Sequence, residues 1–168
     1  MTVQGFIDGI RAGDFSRMAP AFEGAHPLAQ QWDESGALVA TPDVRAEALT
    51  CACFLGEIRV AEYFLAQGID PAAGAATGLN AFHWAANRGQ LEIVRLLIQR
   101  GAPLESRSMY DGTVLGTAVW AAVHEPRPAH AQIVEDLLRA GARVEDAEYP
   151  SGDPAMDALL RQFGASEG

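Results

Sequence analysis

A chain of 168 residues with 49% hydrophobic side chains suits one compact domain or one short array, and is too apolar for a disordered chain. Its formal charge of −10 disfavours nucleic acid and anionic membrane surfaces, since no basic stripe offsets it. No apolar run reaches the roughly 18 residues that a membrane-spanning helix needs.

The opening stretch, "MTVQGFIDGIRAGD", carries Asp8 and Arg11 inside its apolar run, which speaks against a signal peptide. Residues 6–22 read as a degenerate helix pair around Gly13. Residues 26–41 fit no unit of the pattern described below and are expected to form an extended loop. Three helix-turn-helix stretches follow, at 47–70, 80–103 and 113–143. None of their helices is long enough to stand alone, because isolated helices below about 12–15 residues are marginal in water. The last stretch, 152–165, opens with Asp153 as N-cap and Pro154 at the first helical position, and holds one helix.

The three stretches keep one step. Gly56, Gly89 and the small Ala122 stand 33 residues apart, as do Gly68 and Gly101, Leu49, Phe82 and Leu115, and Ala52, Ala85 and Ala118. A fixed period of this size is the signature of a repeat array. Gly141 follows Gly101 by 40 residues, seven more than the step, and "HEPRPAH" marks the excess. Pro126 and Pro128 cannot continue a helix, so the extra residues belong in the turn between two helices.

"NAFHWAANRGQLEIVRLLIQRGAP", residues 80–103, resembles the ankyrin repeat. Asn80 to Ala86 occupy the family's Thr-Pro-Leu-His-x-Ala-Ala signature, and "GQLEIVRLLIQRGA" follows its second helix and terminal glycine closely. The flanking units are looser: the histidine column holds Thr50 in one and Gly116 in the other. The resemblance implies an all-α solenoid of stacked helix-turn-helix repeats with projecting hairpin-like loops. It divides the chain into an N-terminal cap with its loop (1–41), three repeats (about 42–75, 76–108 and 109–146) and a C-terminal capping helix (147–168).

Residues able to carry chemistry are few. Cys51 and Cys53 are too close for an ordinary disulfide, and on a helix their side chains diverge by about 200°. They read as small core side chains in a reducing cytoplasm, with a redox or metal role as the alternative. His124 and His130 form a His-x5-His pair, but with the cysteines two units away no zinc set is expected. His83, by the resemblance, ties loop backbone. No lysine exists to complete a phosphate loop, all twelve bases being arginine. The missing lysine and abundant alanine and glycine read as GC-biased coding of a bacterial kind. No catalytic residue, metal or cofactor is expected.

The resemblance places a partner surface on the concave face, built from loop tips and the positions after each Ala-Ala pair. Carried over, these are Phe54, Leu79, Asn87, Arg88, Met109, Tyr110, Asp111 and Trp120, with Asp43 and Val44 at the first tip. Large apolar side chains in solvent-facing columns point to a contact site. The alternative is that some fold inward or lie beneath residues 26–41. The implied function is a monomeric, cytoplasmic, non-enzymatic module that binds a protein or peptide. Two alternatives stand beside it: an acidic inhibitor or immunity-type protein for a basic partner, steered by the charge, and, more remotely, a small enzyme with a site near 124–130.

Overall fold

The structure, a computed structural model, describes residues 1–167. Among them are nine α-helices and no strand: α1 Val3–Arg11, α2 Leu28–Glu34, α3 Pro42–Leu55, α4 Ile58–Ala66, α5 Ala81–Asn87, α6 Leu91–Gln99, α7 Val114–His124, α8 His130–Arg139 and α9 Pro154–Gln162. A 3-10 stretch spans Phe15–Ala21. The chain forms two compact units, Met1–Trp84 and Ala85–Gly168. No described helix is long and apolar enough to cross a membrane.

In the first unit α3 is the central element, packed against α4, α1 and the 3-10 stretch. Pro42 starts it, and nine of its residues from Val44 to Cys53 are buried. A helix buried on all sides needs small side chains, and Ala46, Ala48, Cys51, Ala52 and Cys53 supply them. The neighbouring α4 buries one stripe, Val60, Ala61, Phe64 and Leu65, and turns Arg59 and Glu62 to solvent. Cys51 and Cys53 lie in this core; Cys51 Sγ sits 3.8 Å from the Phe15 carbonyl.

Residues 26–41 are not an extended loop. They contain α2, which is fastened by long-range bonds. Arg45 grips Asp33 with both arms, Nε–Oδ1 at 2.6 Å and Nη2–Oδ2 at 3.1 Å, and the Tyr63 hydroxyl donates to Oδ2 at 2.6 Å. The Asp33 side chain is only 3% exposed. Trp32 packs on Phe6 with ring centroids 5.2 Å apart. Asp43 and Val44, expected at a loop tip, lie in the first turn of α3. Val44 is buried there and Asp43 pairs with Arg11 at 2.7 Å.

In the second unit α8 packs between α6 and α7. Ile93, Val94 and Leu97 of α6 and Ile133, Val134 and Leu137 of α8 are buried in its core. Full burial of each such side chain contributes roughly 1.5–3 kcal/mol. Arg95 on α6 reaches Asp136 on α8 at 2.7 Å. Gly101 follows α6 with φ 70°, the left-handed geometry that ends a helix and that a Cβ would disfavour. Downstream, Asp153 caps α9 by accepting the Met156 amide at 2.9 Å.

Candidate functional site

The surface in the second unit is built on the loop before α7. Its tip closes on Ser108, whose N–H donates to the Gly112 carbonyl at 2.9 Å. The Ser108 hydroxyl accepts the Tyr110 and Gly112 amides at 3.2 and 3.3 Å. Asp111 takes φ 61°, which aspartate tolerates better than most residues. With the backbone folded on itself, Met109 and Tyr110 stand at the apex, 67% and 77% exposed. Arg107 braces the tip: Nη1 donates to the Asp111 carbonyl at 2.8 Å, and Nη2 meets Asp146 at 3.3 Å.

The tip leads directly into α7, the helix that carries Trp120, through the N-cap Thr113. A Cβ on Gly112 would sit 3.5 Å from Thr117 Oγ1, and Trp120 follows Thr117 by three residues, close to one helical turn. Trp120 is 45% exposed and stacks on the His124 ring at 4.7 Å and 17°. His124 Nδ1 bonds the Trp120 carbonyl at 2.9 Å; since a carbonyl only accepts, Nδ1 carries the hydrogen.

Asn87 and Arg88 are half-buried at the turn after α5. The insertion packs onto this turn. His130 Nδ1 accepts the Arg127 amide at 2.9 Å, so its Nε2 holds the hydrogen and donates to the Asn87 carbonyl, also at 2.9 Å. His130 is therefore a buried brace. Burial pushes the Arg88 guanidinium down from its ordinary value, the Arg127 charge adds to this, and Glu125 acts the other way.

In the first unit two expected contact residues are not open. Leu79 is 8% exposed, folded inward by a turn in which Thr77 Oγ1 bonds the Leu79 carbonyl at 3.2 Å. Phe54 is half-buried between Phe15 and Trp84, at 5.6 and 4.9 Å. It occupies the column of Trp120, but here the neighbours are aromatic and close over it. Trp84, not singled out from sequence, completes that ladder and donates its indole N–H to Thr77 at 2.8 Å.

The conserved-looking columns also resolve into local physics. His83 and Asn80 bond reciprocally at the start of α5: the Asn80 side chain accepts the His83 amide at 3.0 Å, and His83 Nδ1 accepts the Asn80 amide at 3.2 Å. Where Thr50 replaces histidine, the loop is tied by Glu47 instead, whose Oε1 accepts the Ala75 and Ala76 amides at 2.6 and 2.8 Å. Where Gly116 replaces it, a Cβ would stand 2.9 Å from the Asp146 carbonyl, so backbone packs directly on backbone.

A family model described as "Ankyrin repeats (3 copies)" matches residues 30–108 and 49–148. The chain belongs to the ankyrin repeat family. Ankyrin repeats are protein–protein interaction modules, and this ankyrin chain has the all-helical build of that family. A rice protein (Oryza sativa subsp. japonica) named "Probable E3 ubiquitin-protein ligase XBOS33" is 36% identical over 90 residues, covering 50% of this chain and 16% of the relative. The ankyrin chain thus corresponds to a minor part of that protein's length. Among its described residues there is no group of three or more His, Cys, Asp or Glu side chains placed to hold a metal ion.

Proposed function

We propose that the chain is a non-enzymatic module that binds a partner protein through its second unit, with Met109, Tyr110 and Trp120 as apolar anchors and Asn87, Arg88 and Asp111 as polar ones. One observation carries the reading. The exposed large hydrophobic side chains among the described residues are Met1, Val39, Met109, Tyr110 and Trp120, and three of these five belong to one loop tip and the helix that follows it. Exposed apolar clusters on ordered backbone mark contact sites, and tryptophan and tyrosine are common binding anchors. The ligase name of the rice relative describes a much longer protein, of which the match covers 16%, and is not carried over.

The test is quantitative capture from a lysate of the source organism with immobilised chain, comparing the natural sequence with a Tyr110→Ala/Trp120→Ala double variant. Specific partners are expected to fall by tenfold or more, about 1.4 kcal/mol or greater. Equal recovery by both proteins rules out this surface.

A further inference from the structure

We propose that the surface takes a basic peptide segment of the partner: an arginine side chain pairs with Asp111 and lies on Tyr110, and a nearby large apolar side chain seats on Trp120. The inference rests on the binding surface proposed above and specifies the chemistry of its ligand.

The tip presents a carboxylate that its own cation does not satisfy. The Asp111 side chain is 87% exposed, and its ion contact to Arg107 Nε is 3.8 Å, beyond hydrogen-bond reach. Arg107 is committed elsewhere: Nη1 donates to the Asp111 carbonyl at 2.8 Å, and Nη2 meets Asp146 at 3.3 Å. Asp146 is the better-shielded partner, its side chain being only 10% exposed, so solvent screens that pair less. From Leu104 to Trp120 Arg107 is the sole base, against Glu105 and Asp111. Burial, then the neighbouring Asp146 carboxyl, push the Glu105 carboxyl up from its ordinary value, with Arg143 acting the other way. Negative charge therefore crowds the base of the tip as well as its apex. The backbone that carries Asp111 is held, its N–H donating to the Ser108 carbonyl at 2.9 Å.

The aromatic neighbours favour the same sign of charge. A cation is attracted to the face of a tyrosine or tryptophan ring, and a planar guanidinium can stack there while its fork meets a carboxylate. Tyr110, next to Asp111 in the chain, is 77% exposed. His124 covers one face of the Trp120 ring, and the residue is still 45% exposed. Tip and ring are near each other: Gly112 approaches Thr117, and Trp120 lies close to one helical turn, roughly 5 Å, further along α7. An extended peptide advances about 3.3 Å per residue, so an arginine and an apolar residue about one to three positions apart span that interval. At longer range the chain's charge of −10 draws a basic segment in and repels an acidic one.

The experiment is selection of a random displayed 12-residue peptide library on the full chain, followed by affinity measurement of recovered peptides. The expected pool is enriched in arginine close to aromatic or large apolar residues. Exchanging the peptide arginine for neutral citrulline is expected to weaken binding about tenfold or more, and Asp111→Asn in the chain by a similar factor. Asparagine tolerates the positive φ of this position, so the tip keeps its shape. Glu62→Gln removes the same charge from the exposed side of α4 and is expected to change affinity less than about twofold. A pool that is empty, neutral or acidic overturns the proposal. So does equal weakening by Asp111→Asn and Glu62→Gln, which would leave net charge alone as the cause. Loss with Trp120→Ala and Tyr110→Ala but not with Asp111→Asn removes the arginine pairing and keeps the binding surface. Indifference to all three variants removes both.

Discussion

His130 reaches across the insertion to the Asn87 carbonyl at 2.9 Å while accepting the Arg127 amide with its other nitrogen. One buried imidazole thereby joins the insertion to the turn of the preceding repeat. His130→Ala strands both backbone groups and removes the ring that fills the space. The expected cost is about 1–3 kcal/mol in urea unfolding. A loss within about 0.5 kcal/mol, the scatter of neutral surface changes, would show that the brace is incidental.

Tyr63 predicts an alkaline weakness. Burial, and then the hydroxyl bond to Asp33, hold its phenol above the usual tyrosine range. The folded chain keeps this proton where the unfolded chain has lost it. Stability from this group is intact below the ordinary tyrosine pKa of about 10 and drains away as pH rises beyond it. Unfolding free energies from pH 8 to 11 should fall at the upper end for the natural chain and fall less for Tyr63→Phe. Parallel curves would assign the decline to other groups.

Leu79 and Tyr110 were expected to share a surface role, and their variants should separate. Leu79 is inside, so Leu79→Ala is expected to cost roughly 2–5 kcal/mol. Tyr110 is at an exposed apex, so Tyr110→Ala should stay within about 0.5 kcal/mol. Thermal melts of the two proteins decide this; similar melting temperatures would contradict the assignment.

The thiols should be silent in the native state. Burial pushes Cys53 up to about 12 and drives Cys51 well above its usual range, the charges of Cys53 and Glu47 adding to the latter. Thiolate is the reactive form, and little of it exists at neutral pH. Labelling with an aromatic disulfide reagent at pH 8 is expected only after denaturant is added. Rapid labelling of folded protein would require the helix core to be open.

The 33-residue step made the three helix pairs legible, because Gly101, the small residues of α3 and the apolar stripes of α6 and α8 follow from repetition and local chemistry alone. The α2 segment was not legible. It buries only Ala29 along its own length, and its hold comes from Asp33 and Trp32 reaching Arg45, Tyr63 and Phe6, contacts that no periodic pattern announces. Phe54 and Trp120 share a column, yet Phe54 is roofed by Phe15 and Trp84, so a column position predicts direction but not exposure. Arg127 was visible only as part of a proline-rich excess. The histidine three residues after it was the available signal, since the Asn80–His83 pair shows the same spacing between an amide and an imidazole acceptor.

Gly116 gives the array an order. Its missing side chain leaves a slot into which the Asp146 carbonyl fits, while the corresponding positions of the earlier hairpins carry Thr50 and His83. A hairpin transplanted from either place would bring a bulky group into that slot and push the following segment off its seat. The modules are therefore keyed rather than interchangeable, and anyone shortening, duplicating or grafting this protein must move residues 113–147 as one piece.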